Sequence, residues 1–276
     1  ALCFITTGHL LAAGNDPAVK IIRDAVIFSH AGYGIIFIIY FFSNFILLMA
    51  RSVDVSRILY KPNRMPYFTY RFTGTIAVLA FVFVSDWKSY VYNGLAGYYN
   101  NIGDLYTLLD NDEYAESFYS QSKHQTFANH KANYALGIYA GSRLNIEEAS
   151  EYYRAATVRY HSPYALTNRG NLRVWDNDLF GAIESYRQSI ILLPNSGELA
   201  NNLGFTFAKV HNLDSALLYL DKARNEAHAK AAAETNFFAM AALEFLPFKA
   251  DSILDVFETQ APATWANALA IAARYN

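Results

Sequence analysis

The sequence predicts an all-α protein in which transmembrane helices are followed by an α-solenoid of about five helical hairpins. Three observations carry that reading. Ala25 to Ala50 contains no Asp, Glu, Lys or Arg, and a helix of roughly 20 apolar residues is enough to cross a bilayer. A second apolar run extends from Pro66 to Val84. Beyond it, Gly103, Gly137, Gly170 and Gly204 recur at spacings of 34, 33 and 34 residues. A fixed period of that size marks stacked units, each burying its apolar face only against its neighbours.

The chain holds 276 residues, enough for a membrane region, 1–88, and a repeat domain, 89–276. Its single cysteine, Cys3, excludes a disulfide framework and a cysteine-based zinc site. A formal net charge of -2 argues against general nucleic-acid binding. The sequence starts at Ala1 without a methionine or a secretory signal and reads as an excerpt of a longer protein.

Taken in order, Leu2 to Ala13 is mostly apolar and reads as the end of a preceding helix, at 2–13. Asn15 to Asp24 carries balanced charge, as an outside loop would. The first membrane helix is expected over about 25–50, because Ile35 to Met49 is apolar on every face and leaves no side for water. Inside it, His30 and Asn44 are polar, and Ser29, Gly32 and Gly34 are small. Two readings stand for His30: helix packing with an interhelical hydrogen bond, or a proton or ligand role. A second membrane helix is expected over about 66–86, with Tyr67, Phe68 and Tyr70 at one end and Trp87, Tyr90 and Tyr92 at the other. Aromatic residues favour the two membrane–water interfaces. Between the helices, Arg51, Arg57, Lys61, Arg64 and Arg71 oppose only Asp54. Positive connections stay in the cytoplasm, which puts the repeats on the extracytoplasmic side. Trp87 to Tyr99 is expected to be a short helix feeding into the first hairpin.

The repeat has a mechanical reading. Each glycine lies within a first helix, where the missing side chain lets a second helix approach. Twelve residues after each glycine stands Ala115, Ala149, Ala182 or Ala216; four further comes Tyr119, Tyr153, Tyr186 or Leu220; three beyond that comes Ser122, Ala156, Ser189 or Ala223. The alanine and the second small residue are seven apart and share one helix face with the large residue. A weaker fifth unit has Phe238 in the glycine slot, Ala250 in the alanine slot and Pro262 where the third unit has Pro194. Thr264 to Tyr275 is apolar on one face and reads as a capping helix.

With its small and large residues at these positions, Asn202-Leu203-Gly204 followed by Phe207 and Ala216, and Pro194 closing the third unit, the region from Tyr92 to Asn276 resembles the tetratricopeptide repeat family. The resemblance implies a groove, lined by the first helix of each unit, that holds a peptide. Carried onto this chain, its slots give Lys131 and Tyr134 in the second unit, Tyr164, Asn171 and Trp175 in the third, and Phe205 in the fourth. Asn101, Asn168, Asn202 and Asn236 form a row two residues before the glycine position of the first, third, fourth and fifth units. An asparagine carries a donor and an acceptor, so such a row either grips a peptide backbone or bonds the neighbouring helix. Thr167 stands where family members that bind a C-terminal carboxylate have lysine, so an aromatic groove is the expectation instead.

Arg169 and Arg173 replace the family's leucine and aromatic on the face toward the second helix. They imply ion pairs with Glu147, Glu148, Glu151 or Glu184, or else a site for an anion. Asp110, Asp112, Glu113 and Glu116 read as a solvated turn with carboxylates at a helix N-terminus. No catalytic motif, metal site or cofactor is expected.

The expected function is a membrane-anchored scaffold that binds protein or peptide segments, its other partner the lipid bilayer. The alternative is the C-terminal part of a multi-spanning envelope glycosyltransferase or ligase with its catalytic residues upstream.

Overall fold

The computed structural model describes residues 2–50, 66–159, 161–243 and 262–275, all helical or in turns. The chain forms two compact units, Ala1–Lys131 and Ala132–Asn276.

The first unit contains α1 (Leu2–Ala12), α2 (Asp16–Met49), α3 (Tyr67–Val84), α4 (Trp87–Leu108) and α5 (Asp112–Gln125). The expected loop over Asn15 to Asp24 is a correction: from Asp16 onward it forms the first turns of α2. Pro17 suits a first turn, and the partly buried Lys20–Asp24 pair, 2.5 Å apart, joins residues one helical turn apart. α1 and α2 meet at a tight elbow, where Gly14 takes a positive φ of 62°.

α2 and α3 pack closely through glycine. A β-carbon on Gly32 would lie 2.7 Å from Val78 Cγ2, and one on Gly74 would lie 2.5 Å from the Tyr33 ring. The Tyr33 and Thr75 hydroxyls bridge the two helices at 2.9 Å. Gly34, expected to serve packing, faces open space instead. The polar residues of α2 bond along their own helix: His30 Nδ1 to the Val26 carbonyl at 2.8 Å, and Asn44 Nδ2 to the Tyr40 carbonyl at 3.0 Å. Elsewhere the two helices expose Ile38, Phe42, Phe68, Phe72 and Phe83. Both are long and apolar enough to cross a membrane, with mean hydropathy 1.9 over an 18-residue window of Asp16–Ile46 and 1.5 over Tyr67–Val84. The basic connection carrying Arg51, Arg57, Lys61 and Arg64 lies outside the described residues.

Rather than a separate short helix, Trp87 to Tyr99 is the first half of α4. Asp86, at φ 71°, breaks the chain between α3 and α4. α4 and α5 form the first hairpin. The Tyr119 ring covers Gly103, and its hydroxyl donates to Asp104 Oδ1 at 2.7 Å.

The second unit holds most of α6 (His130–Ser142), then α7 (Ile146–Ala156), α8 (Pro163–Trp175), α9 (Leu179–Leu192), α10 (Gly197–Lys209), α11 (Leu213–Arg224), α12 (Lys230–Leu243) and α13 (Pro262–Tyr275). The helices stack in chain order: α8 touches α7 and α9, and α10 touches α8, α9, α11 and α12. The repeat positions form the seams. Ala149, Ala182 and Ala216 are fully buried, as are Tyr186 and Leu220 beneath the glycines of the facing helices. One cluster runs from Leu166 through Tyr186, Leu203 and Leu220 to Met240, joining α8 to α12.

The four hairpins whose turns are described turn the same way. Seven residues after the glycine, Asp110, Leu144, Asn177 and His211 each adopt a positive φ of 53–60°. The next residue (Asn111, Asn145, Asp178 or Asn212) caps the second helix with its side chain. A left-handed residue closes one helix and an Asn or Asp opens the next. In α12, Phe238 fills the glycine slot and is buried with Ala241 against Ala268 and Ile271 of α13. The expected second helix around Ala250 lies outside the described residues.

Candidate peptide-binding groove

The first helices of the third, fourth and fifth hairpins turn one face toward a shared recess. Asn171, Val174 and Trp175 of α8, Asn202 and Phe205 of α10, Asn236 of α12 and the Tyr186 hydroxyl end of α9 line a cavity of about 370 Å³. Its aromatic walls are open to solvent: Trp175 is 69% exposed and Phe205 40%. A neighbouring apolar recess of about 440 Å³ shares Phe205 and Asn236 and continues to Ala239, Met240 and Leu243. The Lys209 ammonium stands 5.3 Å from the Phe205 ring centre, where a cation is attracted to the π face.

Polar order inside the recess comes from a relay of hydrogen bonds. Tyr186 OH donates to Asn171 Oδ1 at 2.5 Å, and Asn202 Nδ2 donates to the same oxygen at 3.0 Å. Asn201 Nδ2 donates to Asn202 Oδ1 at 3.1 Å, and Asn236 Nδ2 to Asn201 Oδ1 at 2.9 Å. The asparagine row therefore bonds helix to helix. With both lone pairs of its oxygen engaged, Asn171 has only its Nδ2 hydrogens left to offer a ligand. Burial raises the Tyr186 phenol above the ordinary tyrosine range, so it stays a donor.

The groove residues that the resemblance implies divide into four sets. Asn171, Trp175, Asn202 and Phe205 line the one cavity. Tyr134 and Asn168 form a second cluster: Asn168 Nδ2 donates to Tyr134 OH at 3.3 Å and to Tyr153 OH at 3.4 Å. Burial there pushes the Tyr153 phenol up to about 12. Tyr164, at the start of α8, is 71% exposed and outside the cavity lining. Lys131 belongs to the first unit, where its ammonium pairs with Asp104 Oδ2 at 2.8 Å and bonds the Ala13 carbonyl. Tyr186 was missed as a lining residue. Its spacing marks it as the ring under Gly170, and spacing does not show that a buried ring can carry its hydroxyl through to the far side.

The arginine expectation also needs correction. Arg173 pairs with Asp178 at 2.8 Å, not with a glutamate of the expected set. Glu151 instead holds Arg154 at 2.6 Å, and Glu184 accepts from Gln188 Nε2 at 2.9 Å. Both arginines are only partly buried.

No family model matches the chain, and no curated protein matches it. Among solved structures it is similar to YrrB, a TPR protein with an unusual peptide-binding site. The identity is 19%, the match covers 63% of this chain and 84% of that one, and the TM-score is 0.44.

Proposed function

We propose that the chain is a membrane-anchored interaction scaffold whose recess on α8, α10 and α12 binds an extended peptide or protein segment. The observation that carries the reading is the convergence of Trp175, Phe205, Asn171 and Asn202 on one open cavity. Solvent-exposed aromatic rings beside a pre-ordered amide are what binding anchors consist of: large apolar faces with little rotamer entropy to lose, and a donor for a backbone carbonyl. The bilayer part of the reading is supported by the exposed apolar surfaces of α2 and α3. A positively charged connection between them favours the cytoplasm, which leaves the repeats extracytoplasmic.

The test is selection of peptides from a random library against the full chain in lipid nanodiscs. Selected peptides should lose about tenfold or more in affinity to the Trp175→Ala, Phe205→Ala double variant, as loss of two anchors implies. The variant's far-ultraviolet circular dichroism should stay unchanged. Equal affinity for the variant would move binding off this face.

A further inference from the structure

The α8–α9 hairpin has a seam unlike those of the other hairpins. Three residues after the glycine and fifteen after it, the first hairpin stacks Tyr106 on Phe118, with centroids 5.4 Å apart. The fourth stacks Phe207 on Tyr219 at 5.6 Å, and the second packs Ala140 with Tyr152 in one apolar cluster. In the third hairpin those positions are Arg173 and Ser185. The residue before the glycine is a buried leucine in the second and fourth hairpins, Leu136 and Leu203, but Arg169 in the third.

Left as it stands, this polar seam is incompletely satisfied. The Ser185 side chain is 3% exposed, and its hydroxyl has no hydrogen-bond partner among the described residues. Arg169 is half-buried and has no ion-pair partner among the described residues. Its one hydrogen bond is a long contact of 3.5 Å to Gln188 Oε1, and Gln188 links it only indirectly to Glu184. Burial and the like charges of Arg173 and Arg154 make Arg169 less basic, and Glu151 opposes them only weakly. A guanidinium has five donors in a fixed fork. Arg169 uses one, Arg173 commits Nη1 to Asp178, and Arg154 commits Nε and Nη2 to Glu151. The remaining donors come from α7 and from α8.

We propose that Arg154 of α7 together with Arg169 and Arg173 of α8 binds a tetrahedral oxyanion of the phosphate class at the edge of this seam. Donors approaching from two helices suit a ligand whose oxygens point in several directions. A planar carboxylate can be saturated by a single arginine fork and needs no such set. The anion supplies the countercharge that Arg169 lacks. This site is distinct from the recess on α8, α10 and α12 and does not depend on it.

The experiment is calorimetric titration of the full chain in detergent, at fixed ionic strength, with inorganic phosphate, O-phosphoserine and acetate. Two variants accompany it. Arg169→Gln keeps the size and polarity of the site, and Arg169→Leu, Arg173→Phe, Ser185→Tyr restores the residue types of the other hairpins, so helix content should persist. Phosphate or O-phosphoserine should bind the native chain at least tenfold more tightly than acetate. Arg169→Gln should weaken that binding at least tenfold, and the triple variant should abolish it. Tighter binding of O-phosphoserine identifies an esterified phosphate as the ligand, and tighter binding of inorganic phosphate identifies the free anion. No saturable binding to the native chain, equal affinity for acetate, or unchanged affinity in both variants would overturn the proposal.

Discussion

Single residues decide how closely each pair of helices can approach. Gly137 has no side chain because the Tyr153 ring occupies that space: an added β-carbon would lie 2.7 Å from Cε1. The Tyr153 ring is held on its other side by Tyr134, with centroids 5.8 Å apart, and by the Asn168 amide. It cannot swing away without breaking those contacts, so the clash must be met by parting α6 from α7. Gly137→Ala should therefore destabilise the chain by about 1–3 kcal/mol, the usual cost of overfilling a packed seam. Denaturant unfolding of the full chain in detergent, followed by circular dichroism, measures this. A neutral effect would show that the ring is not confined.

At the scale of the element, the repeated turn sets the angle of each hairpin. Its four left-handed positions are filled by Asp110, Leu144, Asn177 and His211. Asp and Asn tolerate that region, but leucine meets steric resistance from its own β-carbon. Leu144 is 76% exposed and gains little from burial in return. Leu144→Gly removes the resistance at the cost of more freedom in the unfolded chain. The balance should favour the variant by about 0.5–1 kcal/mol, read as a higher denaturant midpoint at unchanged slope. A lower midpoint would mean that the leucine side chain contributes contacts exceeding the strain. Of these turns, the repeat glycines and alanines were legible in the sequence. The Asn or Asp cap eight residues after each glycine is equally periodic, but an Asn or Asp also suits a loop or a solvated face, so its role as a cap shows only in the hydrogen bond it makes.

For the whole molecule, the first unit ties the apolar helices to the first hairpin through buried polar groups. Asn15, fully buried at the α1–α2 elbow, donates to the Gly97 carbonyl and to Asn101 Oδ1, each at 2.8 Å. Asn100 donates to Asn15 Oδ1 at 3.3 Å and to Asn129 Oδ1 at 3.2 Å. Asp16 accepts from the backbone N–H groups of His130 and Lys131 at the start of α6. Buried amides of this kind fix one arrangement, since any slip leaves a polar group without a partner. With α2 and α3 in a bilayer, the first hairpin would be held at the membrane surface rather than tethered by a loose linker. In sealed vesicles, protease added from the cytoplasmic side should leave the repeats intact, while protease on the opposite side should cleave them. The reverse pattern would invert the proposed topology.

The sequence by itself determined the helical period, the two apolar helices and the small-to-large seams, because each follows from local spacing: a helix face repeats every 3.6 residues, and a glycine marks where another chain segment comes close. It also located four residues that share one recess. Only the tertiary structure decided that the asparagine row bonds helix to helix, that Lys131 is committed to Asp104, that Tyr186 reaches the cavity, and that Arg169 forms no ion pair among the described residues. These depend on where the ends of long side chains meet after packing, and the distance between two side-chain tips on different helices is not a function of their separation along the chain.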